Sequence, residues 1–200
     1  MFVRMNNITG AENIDAGVAY LRDTVIGEVK GQKGFRGLTV SANRTSRELG
    51  ILSIWDTLAD LEASESGVSK LRQQAMKAVG GEISVIIMEQ LFAEVVAPQD
   101  LEGRALRVVT IKMDPAKVDE HLAFFTSEVV PDMRKRPGFL AVRNMVNRAT
   151  GQGSVGSVWT DEAARQAGEA SAKERQKLAE ARGVTIGEAS YRTILLSHLV

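Results

Sequence analysis

The sequence predicts an α+β fold made of two tandem ferredoxin-like units, each of βαββαβ order, packed sheet to sheet as a pseudo-twofold α/β barrel. Three observations predict it. KGFRG at 33–37 resembles PGFLA at 137–141, Asn43-Arg44 recurs as Asn147-Arg148, and SIW at 53–55 recurs as SVW at 157–159, always 104 positions apart. An apolar stripe keeps that spacing: Ile14, Val18, Leu21, Val25 and Val29 are answered by Val118, Leu122, Phe125, Val129 and Met133. A polar stretch with Pro and Gly, APQDLEGRA at 97–105, separates the copies as a connection should. A repeat at fixed spacing is the signature of one structural unit used twice.

Each element follows in chain order. VRMNNI (3–8) and RVVTIKM (107–113) open the halves as strands. The stripes, stepping by three and four residues, mark amphipathic helices over about 11–31 and 115–135. Gly27 stands opposite Pro131, and both residues weaken a helix, so each helix is expected to end or kink there. Hairpins follow, FRGLTVSANR to LGILSIW and FLAVRNMVNR to SVGSVW. Second helices span about 57–79 and 161–182, and last strands about 84–96 and 188–200. The domains are therefore expected at 1–96 and 107–200, with a linker at 97–106. Strand–helix–strand–strand–helix–strand is the split βαβ arrangement, whose sheet carries helices on one face only. The bare face must be buried, and a second copy in the same chain is an available cover.

Composition narrows the function. Of 200 residues 44% are hydrophobic and 25% charged, an ordinary globular balance. Lys+Arg and Asp+Glu both number 25, so no net field favours nucleic acid or an anionic membrane. With no cysteine, thiol catalysis and thiolate metal sites are excluded. MFVRMNNITG holds no apolar run of signal-peptide length, no stretch approaches a membrane span, and the expected location is cytoplasmic. His121 and His198 are the only histidines and lie far apart, so neither a metal site nor a cofactor is expected.

Gly151, Gly153 and Gly156 have the G-x-G-x-x-G spacing of a dinucleotide loop. Such a loop must join a strand to a helix, so that backbone N–H groups meet the pyrophosphate at the helix start. TGQGSVGSVW instead lies between two strands, and the helix begins only after Trp159. The glycines are expected to serve the hairpin turn, with Gly156 a soft spot or bulge in the third strand.

On the Lys33-Gly34-Phe35 and Pro137-Gly138-Phe139 turns, and on the tryptophan that ends the third strand in IWDTLADLEA and VWTDEAARQA, the chain resembles the antibiotic biosynthesis monooxygenase family of the dimeric α/β-barrel superfamily. The resemblance covers nearly the whole length, once per half. It implies a fused version of the dimer that single-domain relatives form, with a further homodimer of the fused chain as an option. Some members oxidise phenolic or quinol-type molecules with dioxygen and no cofactor, using polar groups in a cavity between sheet and helices; others bind and degrade haem. The resemblance thus implies a cofactor-independent monooxygenase acting on a small aromatic or quinol-type substrate. The alternative is a non-catalytic barrel that binds a small apolar ligand or serves as a scaffold. Haem binding ranks lowest, because the second helices, SGVSKLRQQAMKAV and SAKERQKLAEAR, lack the family's iron-ligating histidine.

Carried over singly, Asn6 matches a first-strand asparagine of haem-degrading members, with Thr110 in its place in the second half, and Trp55 and Trp159 match the family tryptophan. These three, Asn6, Trp55 and Trp159, are the candidate catalytic residues; Thr110, Arg143 and Asn144 are candidate substrate contacts. Each has a plainer reading. The tryptophans also suit an apolar plug with a locally satisfied indole N–H. Asn6 also suits a strand edge, and Arg143 a solvent-facing position near a hairpin. Thr39 and Val40 stand in place of Arg143 and Asn144 in the first half, so this strand is where a functional difference between the halves is expected to show. His121 lies off the stripe and is expected on the surface. His198 shares parity with Ile194 and Leu196 near the chain end. Arg134, Lys135 and Arg136 finish a helix, where cations complement its dipole. A cavity lined by Asn6 and Trp55 would weaken the scaffold reading; cavities filled by side chains would favour it.

Overall fold

In the computed structural model, residues 1–96 and 100–200 are described; positions 97–99 of the expected linker lie outside them. The chain is α+β and forms two compact units, Met1–Ile87 with Thr193–Val200, and Met88–Arg192.

Unit one holds β1 (Phe2–Thr9), α1 (Ile14–Tyr20), α2 (Ile26–Val29), β2 (Phe35–Asn43), β3 (Glu48–Trp55), α3 (Leu58–Ala63) and α4 (Glu65–Val79). β4 (Glu82–Val95) leads into unit two, which holds β5 (Ala105–Lys112), α5 (Val118–Phe124), α6 (Val130–Arg134), β6 (Phe139–Asn147), β7 (Gln152–Trp159), α7 (Glu162–Ala167), α8 (Glu169–Glu180) and β8 (Thr185–Ile186). β9 (Ser190–Leu199) closes the chain. Sheet order in unit one is β4-β1-β3-β2-β9; in unit two it runs β4-β6-β7-β5, and β5 is also bonded to β9 and β8. The two long strands thus serve both units: β4 pairs with β6 over Glu89–Val95, and β9 pairs with β2 over Thr193–Leu199.

Each first helix is continuous past the residue expected to stop it. Between α1 and α2 a π-helical turn spans Leu21–Val25, and between α5 and α6 another spans Phe125–Val129, at the repeat spacing. Ile26 N–H reaches back five residues to Leu21 O, and Val130 N–H to Phe125 O. The wide turn breaks the regular ladder just before Gly27 and Pro131. Pro131, which has no N–H to give, falls at the second residue of α6 and is tolerated there. The second helices break at equivalent places, Ser64 and Gly168, after caps in which Thr57 and Asp161 accept from Asp60 N and Ala164 N.

The repeat slips by one residue in the first strands. Asn6 lies opposite Ile51, whereas Val109 lies opposite Val155, the counterpart of Ile51. Asn6 is therefore structurally matched by Val109, and Arg4 by Arg107, 103 positions apart. Side chains alternate across a strand, so a slip of one moves a residue to the other face. Thr110 accordingly does not share the place of Asn6 and is exposed. No register shift occurs at Gly156, so it is not a bulge; the irregularity in that hairpin falls between Phe139 and Ala141.

The helix-facing side of each sheet carries the main core, with Ile8, Val40, Leu49 and Trp55 packed against Leu61 of α3 in unit one, and Ile111, Val142, Val146 and Trp159 in unit two. Val3 and Ile54, on the opposite sheet face of unit one, are buried too, as are Ala141 and Met145 in unit two. Among the described residues no helix is long and apolar enough to cross a membrane.

Candidate functional site

Each unit keeps a cavity between its sheet and its helices. That of unit one measures about 550 Å³ counting its open mouth, and Asn6, Phe35, Ser53, Trp55 and Arg72 line it among aliphatic side chains. Trp55 is buried at the strand end, edge-on to Phe35 with ring centroids 5.4 Å apart. Its Nε1 donates to Ser53 Oγ at 3.1 Å, so the indole proton is satisfied two residues back. Asn6 is buried, and its Nδ2 makes only a long 3.4 Å bond to Ile51 O. Its Oδ1 is buried without a hydrogen-bond partner. Arg72, from α4, grips Glu65 with both terminal nitrogens, at 2.9 and 3.1 Å, and its Nε is buried without a partner. This grip holds the Glu65 carboxyl below its ordinary pKa. Glu65 also meets Arg4, which donates further to Leu61 O at 2.7 Å and Ser64 Oγ at 3.1 Å. Within an apolar cavity, then, one acceptor and one cationic donor remain unused.

Unit two repeats the frame with different chemistry. Its cavity, about 700 Å³ with its mouth, is lined by Trp159, His121, Arg107, Arg165, Glu169 and Arg175 among apolar groups. Trp159 copies its twin, donating to Ser157 Oγ at 3.1 Å and lying edge-on to Phe139. Glu169 takes Arg165 at 3.2 Å and Tyr191 Oη at 3.1 Å, with Arg107 at 3.6 Å. Arg165 also clasps Glu162 and stacks 3.8 Å over the Tyr191 ring. Arg175 pairs with Asp132 beside Ser171.

The expected site residues do not come together in one place. Asn6 and Trp55 meet in the cavity of unit one, and Trp159 lines that of unit two. Asn144 is wholly buried on the helix-facing side of β6, where its Nδ2 lies 2.9 Å from His121 Nε2. Arg143, next to it, therefore points to the opposite sheet face, where it donates to Gln90 Oε1 of β4. Thr110 faces outward, away from either cavity. His121 is not on the surface: only 7% of it is exposed, because α5 turns a face running Val118, His121, Phe124 and Phe125 inward. Burial lowers its pKa below the ordinary histidine value, partly offset by the bond to Asn144. His198 stacks on Phe35 with centroids 6.3 Å apart.

Arg72, Arg107, Arg175 and Glu169 were missed by the sequence reading, although signals for two of them exist. VRMNNI and LRVVTI share Arg and Ile at 103, and Glu65 and Glu169 match at 104. Among the described residues no group of three or more His, Asp or Glu side chains could hold a metal ion. No histidine lines the cavity of unit one, whereas His121 lines that of unit two with its Nε2 against Asn144 and its Nδ1 buried without a partner.

The sheet orders, the twin tryptophans and the cavity beneath the helices now allow comparison. No protein-family model matches the chain. An uncharacterised protein of Mycobacterium tuberculosis (strain H37Rv) is 26% identical over 191 residues, 94% of this chain and 84% of that protein. An anthrone oxidase-like protein superposes with TM-score 0.68 at 18% identity, covering 99% of this chain and 92% of its own. A provisionally assigned monooxygenase from Lactobacillus acidophilus gives 0.70 at 10% identity, covering 99% and 96%. A ferredoxin-fold protein of Listeria monocytogenes related to antibiotic biosynthesis monooxygenases gives 0.54 at 11%, covering 98% and 95%. The chain has the monooxygenase-like ferredoxin fold.

Proposed function

We propose that unit one binds a small phenolic or quinol-type molecule in the cavity lined by Asn6 and Trp55 and oxidises it with dioxygen, without a cofactor. One observation carries this: Asn6 and Arg72 line the same apolar cavity, and Asn6 Oδ1 and Arg72 Nε are both buried without hydrogen-bond partners. An unmet buried polar atom is costly, by roughly 1–3 kcal/mol, unless a ligand satisfies it. A hydroxylated aromatic ring supplies a proton for Asn6, and Arg72 favours the oxygen anion that remains when a hydroxyl is ionised. Trp55 and Phe35 give the ring an aromatic wall.

For an anthrone-like substrate the balance is as follows. The enol loses its proton to water at the mouth, leaving an oxygen anion near Arg72. One electron passes to dioxygen, and the resulting radicals join in a carbon–oxygen bond. Loss of water from the peroxide turns the CH₂ carbon into C=O, so one O₂ is consumed per quinone and water formed. The fold shared with an anthrone oxidase-like protein supports this substrate class.

Oxygen uptake with a panel of anthrones and quinols tests the reading. Asn6→Leu and Arg72→Gln are expected to lower kcat/KM at least tenfold, while Arg107→Met in unit two leaves it unchanged. Uptake with no member of the panel would overturn it. A second reading, binding without turnover, has its own support: no carboxylate or histidine lines this cavity to take a proton. Tight binding of quinols without oxygen uptake is its signature.

A further inference from the structure

The second cavity differs from the first in the state of one arginine. Arg4 and Arg107 hold equivalent places, facing Ser53 and Ser157 across their sheets. Arg4 is 1% exposed and engaged through both terminal nitrogens, by Leu61 O, Ser64 Oγ and the Glu65 carboxylate, although its Nε, like that of Arg107, is buried without a partner. In unit two the carboxylate survives as Glu169, but the serine is replaced by Gly168. A Cβ there would lie 3.0 Å from Trp159 Cη2, so the glycine lets the indole close in and removes the hydroxyl. Arg107 keeps one contact, 3.6 Å from its Nε to Glu169, too long for a hydrogen bond, and that buried Nε has no hydrogen-bond partner. Its side chain is only 14% exposed. Glu169 is shared with Arg165 and Tyr191 and cannot serve Arg107 alone.

A second cation faces the same space. Leu71 and Arg72 of unit one become Arg175 and Gln176 at the repeat spacing, which brings a guanidinium to the cavity wall in place of an aliphatic side chain. Arg175 is 13% exposed and tied to Asp132, which Arg136 also holds. Burial, opposed by Asp132 but joined by the nearby Arg136 and Arg107, lowers the Arg175 pKa. Around this cavity Arg107, Arg136, Arg165 and Arg175 meet Asp132, Glu162 and Glu169, so one positive charge is left over. The rest of the wall is apolar, with Phe124, Phe125, Val129 and Trp159.

We propose that the cavity of unit two is an anion site, taking a small apolar or aromatic molecule that bears one carboxylate, with the carboxylate held by Arg107 and the apolar body against Trp159 and Phe125. A guanidinium with unused donors suits a planar carboxylate, since its fork matches two oxygens. The two halves of the duplication thus bind different ligands: a neutral hydroxylated ring in one, an organic acid in the other. This site stands apart from the oxidation proposed for unit one.

Fluorescence titration tests it with 3-phenylpropionate and its neutral isostere 3-phenylpropanamide. Trp55→Phe leaves Trp159 as the only tryptophan, so quenching reports on unit two alone. The acid is expected to bind at least tenfold tighter than the amide. Arg107→Met in that background brings the two affinities together by weakening the acid, and Arg107→Lys retains part of the preference. Equal binding of acid and amide, no binding of either by fluorescence and calorimetry, or an undiminished preference in Arg107→Met overturns the proposal. Should Arg107→Met fail to fold, the acid-to-amide ratio of the parent and of Arg107→Lys decides. Quenching of Trp55 instead, in Trp159→Phe, would also overturn it.

Discussion

Trp55 Nε1 donates to Ser53 Oγ at 3.1 Å, and Trp159 repeats the bond to Ser157 Oγ at the same length. Both tryptophans are almost fully buried. Each removes on the order of 200 Å² from water, worth roughly 5 kcal/mol at about 25 cal/mol per Å². The local acceptor makes such a plug possible, because a buried N–H would otherwise stay unpaired. The tryptophans therefore close the strand ends and wall the cavities at once.

Ser53→Ala strips the indole of its acceptor while barely changing volume. It is expected to cost about 1–3 kcal/mol in denaturant unfolding. In a Trp55→Phe background, which has no N–H to strand, the same change should cost markedly less. Equal costs in both backgrounds would show that the bond contributes nothing.

The glycines of TGQGSVGSVW separate by their surroundings. Gly151 sits at φ +69°, and a Cβ there would come within 2.0 Å of Met113 O. Gly156 has open space, its nearest neighbour being Leu106 Cδ1 at 3.7 Å. Gly151→Ala is expected to destabilise by at least about 2 kcal/mol. Gly156→Ala should be neutral or stabilising by up to about 1 kcal/mol, since it reduces unfolded-state freedom. Denaturant midpoints of the two variants check this; a reversed order would contradict it.

The repeat made the fold legible because the residues that terminate elements, Gly34, Asn43, Trp55 and their copies, are held by turn geometry and packing. One face of each strand was harder to assign. Asn6 was matched to Thr110 by carrying a single spacing through, and the one-residue slip reversed which side faces the cavity. His121 was misplaced for a related reason: the π turn after α5 and the paired burial of Phe124 and Phe125 widen the inward face beyond the stripe. Asn144 was singled out by its asymmetry with Val40, and its partner is the histidine expected outside. Arg107 and Arg175 draw their character from what Gly168 and the second helix fail to offer them, which no local pattern reports.

His121 gives stability a pH dependence. Its folded pKa lies below the ordinary 6.5, chiefly through burial. The unfolded chain thus binds the proton more readily, and its stabilisation by protonation begins as pH falls through 6.5. Tm is expected to be highest above that value and to drop between pH 7 and 5. His121→Gln keeps a hydrogen-bonding group beside Asn144 without titrating, and leaves Lys117, Glu120 and Arg182 around the adjoining recess unchanged. Its Tm should fall less over the same interval. A slope identical to the parent's would place the effect elsewhere.

Asp132 produces a second and lower transition. Burial would raise its pKa, but hydrogen bonds from Ser171, Arg136 and Arg175 outweigh this and hold it at about 2, against an ordinary 3.8. The carboxylate's contribution is complete above pH 4 and is lost as pH falls towards 2. The difference corresponds to about 2 kcal/mol at most, since the side chain keeps some contact with water. Asp132→Asn removes that contribution and leaves Arg175 without its carboxylate, so a loss of about 2 kcal/mol or more is expected at pH 7. Part of this deficit should vanish at pH 2.5, where Asp132 in the parent is itself becoming neutral. Urea unfolding of both proteins at the two pH values measures it; a deficit as large at pH 2.5 as at pH 7 would mean that the side chain acts by shape and not by charge.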